Sequence, residues 1–189
     1  MASVSMITLG GGKTTVEAAA LDQLRSHFGD RLLAAGDAGY DEARTIWNAM
    51  IDKKPGLIAR CRNAGDVAHA VNFARENNLL VAIHSAGHNI AGNAVCDGGL
   101  MIDLSLMKDV SVDAGSRTAR VQPGVTLGEL DAATQQHGLA ASVGINSTTG
   151  IAGLTLGGGF GWISRKYGMT IDSLLSAEVV TADGHVRTG

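Results

Sequence analysis

His84 and His88 lie four residues apart in the run His84-Ser85-Ala86-Gly87-His88-Asn89-Ile90-Ala91-Gly92-Asn93. On a helix, that spacing can bring two imidazoles to one zinc ion. Gly87 and Gly92 argue for a loop instead, and only Cys96 and Asp97 stand near enough to add ligands, so no metal site is expected. A loop imidazole has another use. Its neutral ring nitrogen is a nucleophile, and the glycine backbone around it can turn tightly and offer N–H groups to an anion. A second glycine run comes later, from Gly150 through Gly153, Gly157, Gly158, Gly159 and Gly161 to Trp162, with Asn146, Ser147, Thr148 and Thr149 just ahead of it. Two such runs point to an extended anionic ligand held along main-chain N–H groups.

Three other patterns fail. Residues 10–15 (GGGKTT) look like the end of a phosphate loop, but that motif needs a glycine where Ile7 stands. The glycines at 157–161 come too late in the chain for a dinucleotide fingerprint, which belongs at the first strand-to-helix turn of a parallel sheet. No serine occupies a nucleophile elbow.

Caps and periodicity outline the elements that must hold the two loops. Thr14 and Glu17 fit a capping box, opening a helix that Gly29 would stop. The residues before it read as a flexible start. Residues 32–36 fit a short strand, and 40–50 a short helix or irregular arm with Trp47 as a packing anchor. Residues 57–61 and 79–84 are apolar strands flanking a helix capped by Asn63, on which Val67, Ala70, Val71 and Ala74 share a face. That is a βαβ unit, and the first glycine loop opens at the carboxyl end of its second strand, where open α/β sheets place ligands. A strand at 99–104 follows, then a hairpin over 108–124 turning at 113–116. Thr126 and Glu129 make a second capping box for a helix closed by Gly138. Trp162 reads as core, and 164–168 as a helical turn. Residues 174–189 read as a strand, an Asp183-Gly184 turn and the start of a return strand, so the sequence is read as the front portion of a longer polypeptide.

Bulk composition narrows the function. The chain has 189 residues, 45% apolar and only 4% aromatic, with a formal charge of −3. Phosphate neutralisation and base stacking are poorly served, so nucleic acid is not an expected partner. No apolar stretch nears the roughly 18 residues of a membrane span, and no secretory leader is evident. Cys61 and Cys96 sit in unrelated contexts and read as free, buried thiols, which fits a reducing, cytoplasmic setting.

The stretches 85–105, 121–130, 147–168 and 172–184, in this order, closely resemble the FAD-binding (PCMH-type) domain of the vanillyl-alcohol oxidase superfamily, nearest to bacterial berberine-bridge-enzyme-like FAD-linked oxidases. The resemblance runs from about Pro55 to the end. It implies an α+β fold: a helical lead-in (1–54) and two FAD-clasping subdomains (55–107, with a small mainly parallel sheet, and 108–189, with a mainly antiparallel one flanked by helices). It places the substrate domain and the acid/base tyrosine outside this chain, so no catalytic residue is assigned. It implies FAD along Ser85, Ala86, Gly87, His88, Asn89, Ile90, Gly92 and Asn93, with His88 bonded covalently to the flavin 8α-methyl carbon. A loop histidine bonded to backbone is the plainer alternative. The second set is Asn146, Ser147, Thr148, Thr149, Gly150, Gly153, Leu154, Gly157, Gly158 and Gly161, unless the glycines only make a packing corner. Val179 and Val180 would flank the adenine or form a buried strand. Relatives usually have arginine and glycines where His84, Ser85 and Ala86 stand here. Some carry a second tethering cysteine where Asn146 stands, so a double link is not expected. The implied activity is oxidation of an alcohol, sugar or related small molecule, with hydride passing to flavin and then to O₂. A non-catalytic flavin- or nucleotide-binding piece is the alternative.

Overall fold

The computed structural model describes residues 3–189. The chain opens with a hairpin, β1 (Val4–Ile7) against β2 (Lys13–Val16), turning through Gly11 at φ +82°. This differs from the flexible start and the Thr14 cap expected from sequence. The β-branched Thr14 and Thr15 pair with Met6 and Ser5, Met6 and Val16 are fully buried, and that burial outweighs a local cap. Helix α1 (Ala18–Phe28) therefore starts later, with Glu17 at its N-cap and no side-chain capping bond. Leu21, Leu24 and Phe28 form its buried stripe, and Gly29 ends it at φ +60°.

The central sheet is ordered β3 (Leu32–Leu33), β4 (Leu57–Arg60), β6 (Leu100–Asp103), β5 (Val81–His84). Strands β4, β5 and β6 are parallel and β3 is an antiparallel edge. The Leu/Ile/Met-rich β6 and the first three residues of β4 are buried, as inner parallel strands require, whereas β5 lies at the sheet edge and leaves Ile83 half exposed. Short helix α2 (Tyr40–Ala43) is tied to the start of β4 by the Tyr40 hydroxyl, which donates to the Pro55 carbonyl at 2.6 Å. Helix α3 (Ala64–Glu76) links β4 to β5, and the Asn63 side chain accepts from the Asp66 N–H as the sequence predicts. The buried Asp66 carboxylate also takes Arg31 at 2.6 Å and His27 at 2.9 Å, pinning the end of α1 to α3.

The remaining elements surround a second, smaller core of Val125, Leu127, Leu130, Val143 and Ile151. They are the hairpin β7 (Val110–Asp113) and β8 (Thr118–Val121), helices α4 (Leu127–Gln135), α5 (Ile151–Leu156) and α6 (Ser164–Tyr167), and the hairpin β9 (Glu178–Val180) and β10 (Val186–Thr188). The antiparallel part is thus divided among separate two-stranded sheets. At α4 the Glu129 carboxylate accepts from both N–H and Oγ1 of Thr126, at 2.7 and 2.8 Å, so that capping box is real. Trp162 is 85% exposed, which corrects its reading as core. Cys61 and Cys96 are buried free thiols, and burial pushes their pKa values up to about 12 and about 11.

Candidate functional site

Residues at the carboxyl ends of the three parallel strands fall in one register: Arg60 beside Asp103, and Asp103 beside His84. Asp103 accepts from Arg60 Nε at 3.1 Å, His84 Nδ1 at 3.0 Å, and the N–H and Oγ of Ser105, both at 2.9 Å. Burial pushes its carboxyl pKa up, but the bonds from His84 and Ser105 outweigh burial and hold it below its ordinary value. The folded state thus favours the carboxylate. Its stabilisation is complete above the unfolded aspartate value of about 4 and fades as pH falls through the depressed folded value. Asp103→Asn should cost about 3 kcal/mol at pH 7 in urea unfolding, because it takes the carboxylate from the partly buried Arg60 guanidinium and the buried His84 ring.

The first loop leaves this edge. The Ser85 hydroxyl donates to the Pro123 carbonyl, and the Gly87 carbonyl accepts from the Trp47 N–H at 3.1 Å. Gly87 sits at φ +70°, and a Cβ there would lie 2.9 Å from His84 Nε2 and 3.3 Å from the Ile46 Cα. Only glycine fits both demands. Asn48 donates to the Ile90 carbonyl at 2.9 Å, and Asn89 Oδ1 accepts from the Asn93 N–H at 2.9 Å. None of the N–H groups of Ala86, Gly87, His88, Asn89 and Ile90 donates to another described residue. The loop is held from below and behind while a row of donors stays free.

The second loop meets the first at two points. A Cβ on Gly150 would touch Ser85 Oγ at 2.9 Å and the Ala86 Cβ at 3.0 Å. His88 reaches across: Nε2 lies 3.1 Å from Thr148 Oγ1 and Nδ1 lies 3.4 Å from Thr149 Oγ1. Asn146 Oδ1 accepts from the Thr148 N–H at 3.1 Å and from Thr148 Oγ1 at 2.9 Å. The Thr148 hydroxyl spends its one proton on Asn146, so it accepts from His88 Nε2–H. That leaves the lone pair on His88 Nδ1. Burial lowers the His88 pKa, against an opposing contact with Thr148, so the ring is neutral at pH 7. Trp47 stacks on the imidazole at 4.5 Å between centroids and 18° between planes. Trp47, read from sequence as a packing anchor, is 55% exposed and serves the site instead.

Other predicted residues divide into two groups. Asn146, Thr149, Gly153, Leu154 and Gly157 line a shallow cleft of about 360 Å³, with Gly144, Ile145, Gly159 and Phe160 completing its wall. Ser147 lies in the loop itself, its carbonyl accepting from the Gly128 N–H at 3.0 Å. The second glycine run is not one open ribbon, because its first part forms α5. Gly158, Gly159 and Gly161 are packed glycines: a Cβ on each would strike Met169, Thr170 or the Val143 carbonyl oxygen. Their lost side chains make room for protein atoms. Val179 is half exposed and lines a different cleft with Leu174, Leu175 and Arg187, whose wall includes no residue of either loop. The hairpin of β9 and β10 packs on α3, with Gly184 against Asn72, so Val180 belongs to no buried strand. No group of three or more metal-ligating side chains occurs among the described residues, and no described helix is long and apolar enough to cross a membrane.

A parallel-sheet edge capped by a glycine loop, facing a second loop across one histidine, defines a mixed α+β dinucleotide-binding architecture. The chain belongs to the FAD binding domain family, whose model matches residues 55–189. It is 42% identical over 150 residues to (R)-6-hydroxynicotine oxidase of Paenarthrobacter nicotinovorans, covering 79% of this chain and 33% of that protein. It is 37% identical over 153 residues to the FAD-linked oxidoreductase YgaK of Bacillus subtilis, covering 81% and 34%. Its fold matches 6-hydroxy-D-nicotine oxidase from Arthrobacter nicotinovorans with a TM-score of 0.82 at 40% identity, over 84% of this chain and 35% of that one. Xylooligosaccharide oxidase from Myceliophthora thermophila matches with a TM-score of 0.82 at 29% identity, over 90% and 37%. The chain spans about a third of the length of the curated relatives it matches. The residues present fit FAD: five free amides suit a diphosphate, and the Gly87 and Gly150 positions keep the loops close enough for His88 to bridge them.

Proposed function

We propose that this chain holds FAD for a flavin-linked oxidoreductase, with the diphosphate on the amides of residues 86–90, the flavin end beside His88 and residues 146–150, and the halves 55–107 and 108–189 as its two walls. The supporting observation is the His88 junction, where one neutral imidazole spans both loops with its lone pair on Nδ1, facing the Thr149 hydroxyl at 3.4 Å. Bound FAD supplies two-electron chemistry, accepting hydride from an alcohol, sugar or related substrate and passing electrons to O₂. The protein's part is to place and tune it. His88 Nδ1 is the atom available to bond the flavin 8α-methyl carbon. Bond formation at Nδ1 would cost the methyl carbon one hydrogen and the imidazole its Nε2 proton, and the two electrons released would pass through the flavin to O₂, giving hydrogen peroxide. Asn146 and Thr148 keep the proton on Nε2 and so keep the lone pair on Nδ1.

Thr148→Val removes the hydroxyl that fixes this tautomer. It should slow flavin attachment at least tenfold, followed as acid-resistant absorbance against time after adding FAD, while the protein remains folded. Substrate turnover is assigned to protein beyond the third of the relatives' length that this chain spans. The chain with FAD should therefore be yellow yet oxidise neither alcohols nor sugars measurably. A purified chain that is colourless and takes up no added FAD would overturn the proposal.

A further inference from the structure

We propose that Trp47 is a positioning residue for flavin attachment, its indole fixing the plane of the His88 imidazole and with it the direction of the Nδ1 lone pair; this rests on the FAD-binding reading above. An imidazole lone pair lies in the plane of its ring, so a tilted ring aims it elsewhere. Thr148 grips the ring at one edge, 3.1 Å from Nε2, while the Thr149 contact at Nδ1 is long, at 3.4 Å. A ring held at one edge can still rock about it. The indole lies on the face of the ring, 4.5 Å away between centroids and 18° from parallel, and takes up that freedom. In the attachment step His88 Nδ1 gains a bond to carbon and the imidazole gives up its Nε2 proton. One hydrogen is lost from the methyl carbon, and two electrons pass through the flavin to O₂, giving hydrogen peroxide. Misplacing the nucleophile by about 1 Å in such a step can cost about a hundredfold in rate.

Trp47 does little for the core. It belongs to none of the buried apolar clusters among the described residues, whereas its neighbour Ile46 is buried in the cluster of Tyr40 and Val95. What the indole has is a fixed mounting. The Trp47 N–H donates to the Gly87 carbonyl at 3.1 Å and Asn48 Nδ2 to the Ile90 carbonyl at 2.9 Å, so the arm is tied to the loop on both sides of His88. The ties continue along the arm. Ile51 fills the space under Gly92, where a Cβ would meet its Cγ2 at 2.8 Å, and Lys53 Nζ donates to the Gly92 carbonyl at 3.0 Å. The Lys54 N–H donates to Asp97 at 2.8 Å. The arm spends its donors on loop carbonyls and on Asp97, and leaves the amides of residues 86–90 free. Every one of these arm residues precedes residue 55, where the match to the FAD binding domain family begins. The site therefore extends beyond the segment that the family model covers.

The test follows acid-resistant absorbance after flavin-free chain is mixed with FAD at several concentrations in air. This gives a limiting attachment rate and a half-saturating concentration. Trp47→Leu should slow the limiting rate about a hundredfold and move half-saturation by no more than about fivefold. Trp47→Phe, which keeps a flat face, should recover the rate to within about tenfold of the unaltered chain. The urea midpoint should be unchanged in both variants, because the indole is 55% exposed. A second readout needs no flavin. Carbon-13 relaxation of the His88 ring should give an order parameter of about 0.85 in the unaltered chain and below about 0.6 in Trp47→Leu. Equal limiting rates with Trp47 and leucine, or a ring already mobile beside the indole, overturns this inference and leaves the FAD-binding reading intact. So does a rate loss that follows a lowered urea midpoint in both variants, which would assign Trp47 to the fold, and so does an unaltered chain that binds FAD without ever attaching it. Absence of FAD binding by the unaltered chain overturns both.

Discussion

Replacing His88 with alanine should leave no flavin colour in acid-precipitated protein, whereas the unaltered chain should retain most of it in the pellet. The hydroxyls of Thr148 and Thr149, which meet His88 at the junction of the loops, are weak nucleophiles with no base to activate them but His88 itself. Asn146 has no nucleophilic nitrogen, and Cys61 and Cys96 are buried with thiol pKa values pushed up to about 12 and about 11. The variant should still bind FAD reversibly, because the amides of residues 86–90 and the cleft walls are unchanged. Losing the Trp47 stack and two hydrogen bonds should weaken that binding by about 1–2 kcal/mol, read as a fluorescence titration. Colour surviving acid in the variant would place the attachment elsewhere.

Gly161→Ala should be the most damaging single methyl in the second half of the chain. The added carbon would land on the Val143 carbonyl oxygen, and backbone has no rotamer with which to step aside. The Gly161 N–H also donates to Ser164 Oγ at 2.9 Å, tying the same residue to α6. A loss of about 3 kcal/mol or more is expected in urea unfolding, above the usual range for one extra methylene. Gly153→Ala is the paired control. It adds the same group inside α5 with nothing within 4 Å, and should stabilise by about 0.5–1 kcal/mol. Equal losses in both would mean that helix propensity and crowding have been misjudged together.

These two glycines show what the sequence made legible. Composition marks where a Cβ is absent, and it does not say whether ligand or protein fills the space. Gly87 and Gly150 serve the loop junction, while Gly158, Gly159 and Gly161 admit Met169, Thr170 and Val143. Local signals were readable: Asn63 and Thr126 as caps, the strands around α3, and the turn before β8 all depend on neighbours a few residues away. The first hairpin was not, because its strands are four residues each and the glycines between them look like a linker. Trp47 and His88 are brought together by the fold across two separate segments, and Arg60, Asp103 and His84 meet only through strand register. No periodicity announces such pairs.

The indole lying flat on His88 gives the molecule its own optical gauge. An excited tryptophan loses emission to a protonated imidazole in contact with it, and to a nearby yellow chromophore by energy transfer. The chain's other tryptophan, Trp162, is 85% exposed, so a Trp162→Phe background would isolate a single emitter beside the nucleophile. Light from Trp47 would then follow arrival at the junction in real time, before any bond is made.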